Sequence, residues 1–152
     1  MTAPVREVAL AAIHARLVAQ LPTVLPDIVV ERARRAPVHL REFLPRVVIT
    51  GGGMEADATQ EPGSTHYTIE FEVAGYVATD DDGQLEAVQS ELHAAIVAAL
   101  VPWQPATAGL GEVTEQGVEF GIIPAAESAR RAVEVLCRFS LLAITPTGSP
   151  YL

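Results

Sequence analysis

Residues 66–100, HYTIEFEVAGYVATDDDGQLEAVQSELHAAIVAAL, decide the fold. From Tyr67 to Val73 the odd positions are Tyr67, Ile69, Phe71 and Val73, and the even ones are Thr68, Glu70 and Glu72. This alternation predicts a strand with one buried and one wet face. Gly75 interrupts the pattern and predicts a bulge or bend. Asp80, Asp81 and Asp82 then offer an N-cap and a negative first turn to a helix. Leu85, Val88, Leu92, Ile96 and Ala99 follow at spacings of three and four, giving that helix one apolar face. Strand and helix are thereby matched to pack around one core.

Working outward, residues Ala3 to Leu21 carry Val5, Val8, Ala9, Ala12, Ile13, Leu17 and Leu21 at helical spacing. They predict a first helix, with Thr2 as N-cap and Pro22 as its stop. Asp27–Arg35 predicts a strand that becomes charged. Its Arg32, Arg34 and Arg35 cluster with Arg41 and Arg46, half of the arginines of a chain without lysine. Pro45–Thr50 predicts a short β-branched strand. Gly51–Thr65, GGGMEADATQEPGST, predicts a long flexible loop, an arm that orders on a partner. Val101–Gly111 is a Pro- and Gly-punctuated connection in which Trp103 caps the core. A strand is expected around Val118, Phe120 and Ile122, split into a hairpin at Gly117. Pro124–Ser128 predicts a turn. Ala132–Ile144 is the last strand, with Val133, Val135, Cys137, Phe139 and Leu141 on one face. The expected architecture is one α+β domain over residues 1–152, with a mainly antiparallel sheet and two principal helices on one face.

The totals narrow the function classes. The 152 residues suffice for a sizeable core, and 49% of them are hydrophobic. No apolar run approaches the roughly 20 residues of a membrane span, and the N-terminus does not read as a signal peptide. The single cysteine, Cys137, permits no internal disulfide and fits a reducing compartment. A net charge of −9 makes free nucleic-acid binding a poor expectation.

Catalytic patterns are weak. His14, His39, His66 and His93 stand far apart in sequence, and no cysteine pair joins them, so a metal site would require remote parts to converge. Cys137 lies in an apolar strand row, which favours a core thiol over a nucleophile. Glu70 and Glu72 can be drawn as a carboxylate pair, but they fit an exposed strand row better. Gly51–Gly53 is followed by no Gly-Lys-Ser/Thr, and no nucleophile-elbow or dinucleotide fingerprint occurs. The reading is of a chain with no enzymatic activity, catalytic residue, cofactor or metal.

The order of elements resembles the tail terminator proteins of long-tailed phages, the family of minor tail protein U. The resemblance rests on the opening helix Val5–Leu21, the LPRVVITGGG segment, the strand–helix unit above and the late strand VEVLCRFSLLAIT. It implies an assembly protein of the virion tail and neck that forms a hexameric ring, as the members of that family do. Such a protein is made in the host cytoplasm, caps the tail tube, stops its polymerisation and receives the DNA-filled head. The implied partners are further copies of this chain, the tail tube protein and a head–tail connector or head-closure protein. Double-stranded DNA would pass through the lumen without specific binding. The contact residues are read from this chain itself: Arg32, Arg34, Arg35, Arg41 and Arg46; Gly51, Gly52, Gly53 and Met54; Glu70 and Glu72; and Asp80, Asp81 and Asp82. The arginines would meet a neighbour's carboxylates. The alternatives are a head-closure or neck connector protein, or a small acidic ligand-binding or enzyme-subunit domain with the glycine-rich loop as a lid near Trp103.

Overall fold

A computed structural model describes residues 2–32, 45–123 and 131–152, with Arg131 described by its backbone alone. The elements in chain order are α1 (Val5–Gln20), β1 (Val29–Arg32), β2 (Arg46–Asp57), β3 (Ser64–Thr79), α2 (Leu85–Leu100), β4 (Leu110–Ile123) and β5 (Arg131–Pro146). Their sheet runs in the order β1-β2-β3-β5-β4. Among the described residues β1 and β2 pair in parallel, and the other pairings are antiparallel. The fold is α+β, with both helices on one face of a mainly antiparallel sheet.

Strands β3 and β5 are the spine. They pair without a break from Ser64↔Pro146 to Thr79↔Arg131. Phe71 lies directly across from Phe139, and their rings stack at 5.4 Å between centroids. Ile69, Phe71 and Val73 on β3 and Val135, Cys137, Phe139 and Leu141 on β5 are buried beneath the helices. Against them α1 lays Val5, Ala9, Ile13 and Leu17, and α2 lays Leu92, Ile96 and Leu100. Tyr67, the first residue of the predicted row, is only half-buried. Among the described residues no helix is long and apolar enough to cross a membrane.

Four local expectations need correction. Gly51–Thr65 is not a loop: residues 51–57 continue β2 and 64–65 open β3, which leaves 58–63 as the connection. The strand tolerates its glycines because it needs them. A side chain at Gly51 would collide with Arg6 and Leu10, and one at Gly52 would press on the backbone of Glu70. The register shifts between Gly51 and Met54, which absorbs the mismatch as a bulge. Gly75 makes no bulge; β3 stays in register through it. Its missing side chain admits Leu92, whose Cδ2 would lie 2.7 Å from a Cβ there. Gly117 marks a register irregularity within one continuous β4, not a hairpin turn. Thr2 does not cap α1. The residue before the helix is Pro4, and the Val5 N–H donates instead to the Pro150 carbonyl at 2.8 Å. The C-terminal tail thus closes the first helix. The predicted turn Pro124–Ser128 lies outside the described residues.

The acidic turn behaves as expected at its centre. Asp81 accepts a hydrogen bond from the Gly83 N–H at 2.9 Å, opening a short 3-10 turn, Asp82–Gln84, that leads into α2.

Two substitutions probe this packing. Phe71→Ala should lower unfolding stability by about 3–5 kcal/mol, since it removes one ring of the stacked pair and leaves a cavity. Gly75→Ala should cost roughly 1–3 kcal/mol by overpacking against Leu92. Urea midpoints read both; a wild-type midpoint for either variant would mean that strand β3 does not face the helices in this register.

Candidate interaction surfaces

The residues singled out in the sequence fall into separate regions of the molecule. Arg32 at the end of β1 makes a forked hydrogen bond to Glu7 on α1, with Nη1 to Oε1 at 2.9 Å and Nη2 to Oε2 at 3.0 Å. That bond holds the Glu7 carboxyl below the usual carboxylate range, with the Arg32 charge adding to the effect. Arg46 opens β2, is buried and pairs with Glu31. Both arginines thus have carboxylate partners within their own chain. Arg34, Arg35 and Arg41 lie outside the described residues.

Gly51, Gly52, Gly53 and Met54 sit on the far half of β2. There β1 no longer flanks the strand, because β1 pairs only with residues 46–49. Met54 is 42% exposed. Arg6 crosses this margin and donates to the Gly52 carbonyl at 3.1 Å. Glu70 and Glu72 project from β3 on the face the helices do not cover, across from Ser140 and Arg138. Arg138 in turn donates to Glu119 on β4 at 2.7 Å, and both carboxylates hold its guanidinium in the charged form. Asp80, Asp81 and Asp82 are exposed at the opposite end of the sheet from Met54. The structure brings Glu72 beside Arg138 and sets Gly52 and Gly53 against Glu70.

The histidines are scattered as well. His14 Nε2 lies 3.3 Å from the Val30 carbonyl, and His93 Nε2 lies 2.6 Å from Glu115 Oε1. His66 Nε2 is buried without a hydrogen-bond partner, 3.8 Å from Glu61 Oε2. His39 lies outside the described residues. Among the described residues, no group of three or more His, Cys, Asp or Glu side chains stands close enough to hold a metal ion.

One surface went unnoticed in the sequence. On edge strand β4, Phe120 and Ile122 lie on the helix-bearing side of the sheet, paired with Val135 and Val133. Each is 50% exposed, because α2 begins beside them and does not cover them. Alternation alone made Val118, Phe120 and Ile122 one row. It carried no sign that the row runs past the end of its covering helix.

Cys137 is fully buried, and desolvation pushes its thiol up to about 12. The reactive thiolate is therefore scarce in the native protein. A disulfide reagent at pH 8 should leave folded chain unlabelled and label it fully in denaturant. Rapid labelling of the native chain would contradict the placement of Cys137 in the core.

No protein-family model matches this chain, and no curated protein does. Among solved structures, a chain from the virion of the native gene transfer agent particle aligns over 92% of this chain and 96% of its own. The TM-score is 0.54 and the identity 14%, so the likeness is one of fold. A further solved chain aligns over 90% of this chain and 94% of its own, at a TM-score of 0.49 and 18% identity.

Proposed function

We propose that this chain is a structural protein of a phage-like virion and that, within the virion, it is a ring-forming tail terminator. The carrying observation is the fold correspondence with a gene transfer agent virion chain, which spans nearly the whole of both chains. The correspondence runs through the whole α+β unit, helices and sheet together.

The architecture suits assembly. The sheet has a helix-covered face that makes the core and a second face carrying Glu70, Glu72 and Arg138. Edge strand β4 and the far half of β2 lie at opposite margins. Two different margins on one subunit permit head-to-tail contacts, the kind that close into a ring. The hairpin of β2 and β3 around Gly51–Met54 is assigned to the tail tube. The arginines Arg34, Arg35 and Arg41 are assigned to carboxylates of a neighbouring copy, such as Asp80–Asp82. The head side receives a connector or head-closure protein. A net charge of −9 lets DNA cross the ring with little adhesion, since phosphate attraction is the main source of non-specific affinity. The activity is mechanical: no bond is made or broken, and no cofactor takes part.

The test is removal of the gene from a particle-producing strain, followed by electron microscopy. Tails should overgrow or fail to join DNA-filled heads, and supplying the chain in trans should restore uniform, joined tails. Uniform, head-joined tails without the chain would overturn the terminator role.

A further inference from the structure

Strand β4 ends the sheet: it pairs with β5 on one side, and among the described residues no strand lies on the other. Sheets commonly blunt such an edge with lysine, proline or a bulge. In β4 the irregularities lie before Gly117, and from Gly117 to Ile123 the strand keeps register with β5 without a break. This stretch, GVEFGII, holds no lysine and no proline, and Glu119 is its one charged residue. Glu119 accepts a hydrogen bond from Arg138 at 2.7 Å. Phe120 and Ile122 stand half-exposed on the helix-bearing side. The result is a regular, largely apolar edge whose outward N–H and C=O groups can form a ladder only with another strand.

The edge is also held still. Gln89 is buried and donates to the Gly121 carbonyl at 2.8 Å, which ties α2 to β4 and leaves that oxygen room for a second donor. The His93 ring meets the Phe120 ring edge-on at 5.8 Å between centroids.

The order of residues along the edge is self-complementary. Val118, Phe120 and Ile122 alternate with Glu119 and Gly121, symmetrically about Phe120. An antiparallel partner of the same sequence, centred on Phe120, sets Val118 against Ile122 of the second copy, and the two Phe120 rings against each other. It sets Glu119 against Gly121, so no carboxylate faces another. Centring the pair on Glu119 would bring two carboxylates face to face, which cross-strand pairing disfavours.

We infer that the β4 edge from Val118 to Ile122 is the contact of a twofold dimer, in which the five-stranded sheets of two copies run on as one. The contact is isologous, the same patch on both chains. Phe120 and Ile122 lose their exposure, the outward main-chain groups gain partners, and the edge is closed to other strands. This dimer is a form of the free chain and does not depend on the terminator role. Because it closes the β4 margin, it precedes any ring that uses that margin.

Sedimentation and cross-linking of the full-length chain test this. The wild-type chain should sediment as a dimer. Phe120→Glu should sediment as a monomer, with circular dichroism confirming its fold, and Met54→Glu, at an exposed apolar site on the other margin, should remain a dimer. For the register, one batch carries Val118→Cys and a second, mass-tagged batch carries Ile122→Cys; Cys137 stays in place as a buried thiol. Mixed under mild oxidation, they should form the disulfide heterodimer at least tenfold faster than either batch links to itself. A wild-type chain that sediments as a monomer or as a larger closed ring overturns the inference. So does a dimer that survives Phe120→Glu, or a heterodimer that forms no faster than the self-links.

Discussion

The stacked pair of Phe71 and Phe139 sets the register on which the molecule depends. Their strands meet over sixteen consecutive positions each, from Ser64 to Thr79 and from Arg131 to Pro146. A slip of one residue would turn Ile69, Phe71 and Val73 to the wet face and bring Glu70 and Glu72 under the helices. Burying two unpaired carboxylates there is far costlier than any local gain. With β3 and β5 locked, β2 and β4 add to the outer edges, and both helices share the one apolar face that remains. Gly75 belongs to the same constraint, because Leu92 occupies the space its side chain would fill.

Much of this was legible from alternation and helical spacing. Both rows of the spine, both helices and the acidic turn at Asp81 could be read from local pattern. What escaped was structure held by non-local contacts. GGGMEAD has the composition of a loop, yet it is a strand because β3 supplies its hydrogen bonds and Arg6 and Leu10 occupy the room that Gly51 leaves. Strand preference is largely a matter of neighbours, so a glycine run paired to a strong strand follows its partner. Gly75 follows the same rule, because the reason for it, Leu92, lies across the fold and not beside it. Pro150 as the partner of Val5 joins the two ends of the chain, beyond the reach of any local window.

The candidate site was less legible than the fold. A cluster of arginines in sequence suggested a common task, but Arg32 and Arg46 serve their own subunit through Glu7 and Glu31. Counting charges along a chain does not reveal which are spent internally. The exposure of Phe120 and Ile122 depends on where α2 begins relative to the end of β4, a tertiary fact.

The location of the chain in a finished particle tests the account most directly. Purified particles would be labelled with gold-conjugated antibody against this chain and imaged by electron microscopy. The account predicts gold at the junction of head and tail, at one end of each tail and nowhere along its length. Gold spread over the head or along the tube, or particles that contain none of the chain, would contradict it.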